Sequence, residues 1–255
     1  MVNNSQIKIL RVPEVTLIFW IIKVLSTTVG ETAADFLSFD LGYGMITIAF
    51  CISFIIILLL FLQFFELNRY IPINYWSIII SISILGTLIT DILVDNMGIK
   101  LSTLSTVFTF AMVIGFLVWY KNEKTLSIHS IDSAKREIYY WVIILLAFAL
   151  GTGLGDLISE SMHLGYLFSF VLFSIFISFV VIGHYIFRMN SILSFWLAFI
   201  LTRPLGASFG DYLTQSTQDG GLEIDMIYVN LFFLVTIVGL VSYLQIMQKK
   251  INYEN

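Results

Sequence analysis

One pattern recurs four times along this chain: an aromatic–Trp pair, nine residues, a Gly, four residues, then an Asp followed by two bulky apolar residues. The copies are Phe19-Trp20…Gly30…Asp35-Phe36-Leu37 and Tyr75-Trp76…Gly86…Asp91-Ile92-Leu93, then Tyr140-Trp141…Gly151…Asp156-Leu157-Ile158 and Phe195-Trp196…Gly206…Asp211-Tyr212-Leu213. Four of the five Trp residues stand at one fixed distance before an Asp, which coincidence does not explain. Each copy falls in an apolar stretch, where an ionisable residue is by default a functional candidate.

Composition decides the solvent. The 255 residues are 58% hydrophobic and 12% charged, against roughly 25% charged in soluble chains. The apolar runs reach the ~20 residues that a helix needs to cross a bilayer. The chain therefore reads as an all-α polytopic membrane protein in a lipid bilayer. Its eight transmembrane helices fall at roughly 13–36, 45–65, 74–95, 102–120, 138–160, 164–187, 190–214 and 226–247. The first, third, fifth and seventh carry the pattern. One repeat is thus a helical hairpin, and the single membrane domain is four parallel hairpins at about 13–66, 70–122, 136–188 and 190–248. The polar stretch Lys121–Glu137 reads as a joint between two halves.

Several function classes drop out. Cys51 is the single cysteine, so neither a disulfide framework nor a cysteine metal cluster is available. The net charge of −4 comes with no basic stripe, which excludes nucleic acid as a partner. The first apolar stretch carries Lys23 and Glu31 and is too long for a signal peptide, so it is expected to stay as a span. His129, His163 and His184 share no metal-ligand spacing. No nucleotide loop and no Ser/His/Asp arrangement stands out, which argues against ATP-driven transport and against a conventional hydrolase. The sequence names no cofactor, metal or oligomeric state.

Lys and Arg set the orientation. Ten of them (Lys8, Arg11, Arg69, Lys121, Lys124, Lys135, Arg136, Arg188, Lys249 and Lys250) fall on the side of the two termini. The other side has only Lys100, with Asp40, Asp95, Glu160, Asp219, Glu223 and Asp225. Both termini are therefore expected in the cytoplasm. Fifteen helical residues rise about 22 Å. With each Trp at the cytoplasmic interface, its N–H wet, each Asp lies well across a core about 30 Å thick. The four Asp should form one layer, on repeats related by an axis along the membrane normal.

The pattern's glycines predict close helix packing. Gly151/Gly155 and Gly206/Gly210 are G-x-x-x-G pairs, while Gly30/Ala34 and Gly86/Thr90 are small-x-x-x-small. Packing does not explain the carboxylates, whose burial costs a few kcal/mol unless they are paired, hydrated or protonated. Glu31 and Asp35 share a helix face with Thr27 and Lys23. Thr87 and Thr90 flank Asp91, Thr152 precedes Asp156, and Thr202, Arg203 and Ser208 precede Asp211. These hydroxyls are expected to donate to the carboxylates as a polar network. Lys23 and Arg203 lie too far along the axis from their own Asp and should meet neighbouring helices. Five acids (Glu31, Asp35, Asp91, Asp156 and Asp211) then face two bases. That excess calls for a bound cation or for protonation.

Three readings are open. The first is a pathway for a small cation, proton-coupled or a divalent metal; oxygen ligands suit hard ions. The second is a scaffold whose charges form a structural network. A remote third is an intramembrane aspartyl protease, since Gly153-Leu154-Gly155-Asp156 resembles the G-x-G-D motif of presenilin-like enzymes, without the companion motifs.

The run Lys23-Val24-Leu25-Ser26-Thr27-Thr28-Val29-Gly30-Glu31-Thr32-Ala33-Ala34-Asp35 resembles the first repeat of a bacterial family of uncharacterised membrane-anchored proteins. Thr202-Arg203-Pro204-Leu205-Gly206-Ala207-Ser208-Phe209-Gly210-Asp211 resembles its last repeat. That family is built from a four-fold membrane repeat of unknown function. The resemblance covers nearly the whole chain and implies a multi-pass protein of the bacterial inner membrane. It brings no established activity. The middle repeats depart from it, with Thr87 and Thr152 where the first has Glu31. Pro204 should free the carbonyl of Ile200, as a hinge or a ligand.

Overall fold

The computed structural model describes residues 10–67 and 69–254, the last four by backbone alone, so Lys8 lies outside the described residues. Eight helices succeed one another: α1 Leu17–Asp35, α2 Met45–Phe61, α3 Pro72–Asp91, α4 Leu101–Glu123, α5 Ala134–Asp156, α6 Tyr166–Tyr185, α7 Ser191–Thr214 and α8 Met226–Glu254. All eight are long and apolar enough to cross a membrane, and no strand occurs among the described residues. Local chemistry sets several starts. Thr16 caps α1 by accepting from the Phe19 N–H, Pro72 opens α3 where no N–H is needed, and the Asn190 side chain accepts from Ile192 and Leu193 N–H at α7.

The helices form two shells. The windows spanned by α1, α3, α5 and α7 are 61–67% buried, against 17–28% for the other four. The inner four close a ring in the order α1, α3, α5, α7 and back to α1. Each outer helix leaves its own repeat and packs on the inner helix of the next one: α2 on α3, α4 on α5, α6 on α7, and α8 on α1. The hairpin is a unit of the chain, while the packing unit bridges two repeats. Outward faces such as Phe50, Phe54, Phe110, Phe179 and Phe232 are exposed, as lipid-facing residues should be.

Two cyclic contacts make the ring. At one end, the aromatic before each Trp packs on the Trp of the next repeat. Phe19 meets Trp76 at 5.5 Å, Tyr75 meets Trp141 at 5.4 Å, Tyr140 meets Trp196 at 6.1 Å and Phe195 meets Trp20 at 5.8 Å between centroids. Matching residues meet their counterparts at one level, so the inner helices are parallel. Further along the axis, each pattern Gly receives the side chain eight residues before the next repeat's Asp. Gly30 receives Ser83, Gly86 receives Phe148, Gly151 receives Arg203 and Gly206 receives Thr27. Only a residue without a Cβ leaves that space.

The Trp side chains differ from expectation. Trp76, Trp141 and Trp196 are buried in the girdle instead of lying at a wet interface. Trp141 donates to Glu137 Oε1 at 3.4 Å and Trp196 to the Leu126 carbonyl at 2.9 Å. The region between the halves supplies these acceptors. The link between α4 and α5 is shorter than the polar stretch 121–137; it runs from 124 to 133, includes a 3-10 turn at Ile128–Ser130 and buries Ile128 and Ile131.

Candidate functional site

The ring's axis is lined by an i, i+4 stripe from each inner helix, because residues four apart share a face. Past the aromatic girdle the stripe on α1 reads Lys23, Thr27, Glu31 and Asp35. At the Asp level the helices change form. After Asp35, Asp91 and Asp156 the chain makes a π-turn, with i+5 bonds from Leu41 N to Phe36 O (2.9 Å), Met97 N to Ile92 O (3.2 Å) and Met162 N to Leu157 O (2.9 Å). Such turns often sit at functional sites. The fourth repeat keeps its α-helix to Thr214, and Gln215 then turns in to donate to Asp35 at 3.4 Å.

These ends enclose a cavity of about 370 Å³. Asp35, Asp91, Asp156 and Asp211 line it together, with Glu31 one turn deeper and Asp95 and Glu160 one turn towards the mouth. Phe39, Val94, Leu101 and Met226 complete the wall. By sequence Asp95 and Glu160 were placed only on the outer side, at the ends of the third and fifth helices, and not in the site. The signal that finds them is the stripe itself, since each lies four residues past its Asp. Tyr166, on α6, donates to Glu160 Oε1 at 3.1 Å.

Arg203 lies behind Glu31, outside the cavity lining. It is fully buried, and its Nη2 approaches three acceptors: Glu31 Oε2 at 2.8 Å, Thr152 Oγ1 at 2.7 Å and Thr87 Oγ1. Nη1 donates to the Thr27 carbonyl at 3.3 Å. One guanidinium thereby ties α7 to α1, α3 and α5. Thr87 and Thr152 stand where the first repeat has Glu31, so those substitutions give Arg203 two neutral acceptors and one carboxylate. Among the described residues, the Glu31–Arg203 pair is the cavity's only ion pair.

Lys23 takes no part in that balance. It is fully buried nearer the girdle, donates to Thr202 Oγ1 at 3.2 Å, and sits 4.2 Å from the ring centroids of both Phe148 and Phe199. Among the described residues it has no ion pair. The expected five acids against two bases becomes seven acids against one base at the cavity. The two π faces and the Thr202 hydroxyl replace a carboxylate for the amine.

The expected hydroxyl network is corrected in part. Thr87 does donate to Glu31, at 3.2 Å. Thr90 instead donates to the Ala149 carbonyl (2.9 Å), Thr27 to the Thr202 carbonyl (3.1 Å), Thr202 to Phe199 O (2.7 Å) and Thr152 to Phe148 O (3.4 Å). Ser208 pairs with Ser169 on α6 at 2.7 Å. A hydroxyl on a helix finds a carbonyl one turn back, or the neighbouring backbone where Gly lets it approach, before it reaches a carboxylate. Gly155 and Gly210 lie against Ser208 and Thr32 respectively. Pro204 is accommodated inside α7, which runs through it.

Four stretches, 18–66, 74–125, 139–190 and 194–250, match the family described as Repeat of Unknown Function (DUF347). The chain belongs to that family. Its four repeats coincide with the four inner-plus-outer helix pairs, so the family's repeat is one quarter of the ring with its outer helix. No curated protein and no solved structure matches the chain.

Proposed function

We propose that this multi-pass membrane protein transports a small cation, proton-coupled or a divalent metal, through the carboxylate cavity. The single observation that carries this reading is seven carboxylates on one cavity wall with one ion pair among them. Such an excess is costly in a bilayer unless cations or protons neutralise it, and a carrier that binds and releases its load needs such a site. Arg203 blocks the way beyond the cavity and the aromatic girdle seals the far end. Release on the other side then requires the ring to loosen, as in alternating access. The basic-residue tally supports both termini in the cytoplasm and the cavity opening outwards, and the resemblance noted from the sequence implies the bacterial inner membrane.

Asp35→Asn and Asp91→Asn keep side-chain shape and remove charge. Each is expected to reduce cation flux into proteoliposomes by at least about tenfold, the scale of one lost charge-assisted contact, while the protein still inserts and melts as a single species. A panel of H⁺, Na⁺, Mg²⁺ and Mn²⁺, with and without a pH gradient, identifies the load. Cysteine labelling at Glu223 and Lys124 in the same vesicles should find the two positions on opposite faces. Unchanged flux in well-folded variants would leave the carboxylates without a transport role. The second reading, a non-transporting scaffold, is favoured by Arg203 tying four helices together. It predicts no flux of any ion and a bundle whose stability falls with each neutralised Asp.

A further inference from the structure

The cavity's shape says more about its load than its charge does, and the identity of that load rests on the transport reading. Among the described residues no three Asp, Glu, His or Cys groups converge closely enough to hold a metal ion directly. A hydrated ion would leave much of the space to further water. Six waters at about 30 Å³ each occupy roughly 180 Å³, about half of the 370 Å³ present. That volume lies in the range of small-molecule sites, roughly 300–1,000 Å³.

The wall mixes carboxylates with apolar side chains. Its carboxylates stand in three tiers, at Glu31, at the four Asp, and at Asp95 with Glu160. Each tier is one helical step of four residues, about 6 Å, from the next. The same wall carries Phe39, Val94, Leu101 and Met226, which offer a hydrated ion nothing but offer methylene groups contact. An independent pointer to a ligand is Asp211. It is only 5% exposed and lines the cavity, yet its carboxylate accepts no hydrogen bond and no ion pair among the described residues. A donor that enters the cavity can reach this carboxylate and offset the cost of its burial.

We propose that the cavity binds a linear aliphatic diamine or triamine. Ammonium groups separated by three or four methylenes match carboxylate tiers one helical turn apart, and the stem lies on the apolar wall. Each terminal ammonium brings three donors to oxygens that have too few. A triamine also cancels more of the surplus charge than one divalent ion does.

The experiment is equilibrium binding of radiolabelled spermidine to the purified full chain in detergent. Competitors are a series of α,ω-diamines, butylamine and Mn²⁺, and spermidine flux is then measured in proteoliposomes. Saturable binding is expected, with diamines of three and four methylenes competing at least about tenfold better than ethylenediamine or butylamine, the scale of one lost charge-assisted contact. Asp211→Asn should weaken binding about tenfold or more, with Asp156→Asn as the alternative if the first variant does not fold. Glu223→Gln, on an exposed loop beyond the cavity, should bind as the parent does. Flux of Mn²⁺ or protons without spermidine binding would overturn the polyamine assignment and leave cation transport standing. Mn²⁺ displacing spermidine at lower concentration than any diamine would do the same. Absence of binding and flux for every cation would overturn both.

Discussion

Arg203→Ala is expected to cost the bundle about 3–5 kcal/mol, the scale set by stranding one member of a buried ion pair. The guanidinium is fully buried and contacts all three other inner helices by hydrogen bond or ion pair. Its removal leaves the Glu31 carboxylate facing Thr87 alone and opens a void against Gly151. The measurement is a thermal melt of detergent-solubilised protein, with monodisperse elution as the check on folding. Glu31→Gln alone should also destabilise, since it leaves the guanidinium without its carboxylate. Glu31 therefore belongs to the fold as much as to the cavity, unlike the four Asp. The pair Glu31→Gln with Arg203→Met should recover much of the loss, because the double variant strands no charge; a double-mutant cycle reads that coupling. An Arg203→Ala melt equal to the parent's would mean that the four helices are held by packing alone.

The second large effect concerns the pattern glycines. A Cβ at Gly206 would overlap Thr27 Oγ1 and stand 3.0 Å from the Thr28 nitrogen; one at Gly151 would overlap Arg203 and stand 2.9 Å from Pro204 Cδ. These neighbours are backbone or stiff, buried side chains that cannot swing away. Gly206→Ala and Gly151→Ala should therefore each cost at least the ~3 kcal/mol at the top of the usual range for overpacking. Gly239→Ala on α8 is the control. Nothing lies within 4 Å of its Cβ, so it should be neutral or gain up to ~1 kcal/mol from helix propensity. Equal melts for Gly206→Ala and Gly239→Ala would remove the knob-and-gap account of the ring.

The repeat, its parallel sense and the close packing of the pattern's helices could be read from residues alone. Apolar runs, a fixed Trp-to-Asp distance and the small residues between them are one-dimensional signals, and a bilayer permits few ways to satisfy them. The Asp residues stood out for the same reason: a charge in a span needs an explanation. Which groups meet across helices depends on ring order and register, to which no periodicity in one helix refers. Arg203 and Glu31 are 172 residues apart, and nothing within their own repeats pairs them. The closure of α7 on α1 makes that pairing. It also sets Lys23 between Phe148 and Phe199 instead of beside an acid. Asp95 and Glu160 were legible as acids four residues past the pattern's Asp, but that they face the cavity depends on the neighbouring helices that complete its wall. The linear pattern was thus sufficient for a four-fold bundle with its carboxylates at one level. It could not say which charges are neutralised and which face the cavity, since a charge's surroundings come from helices far away in the chain.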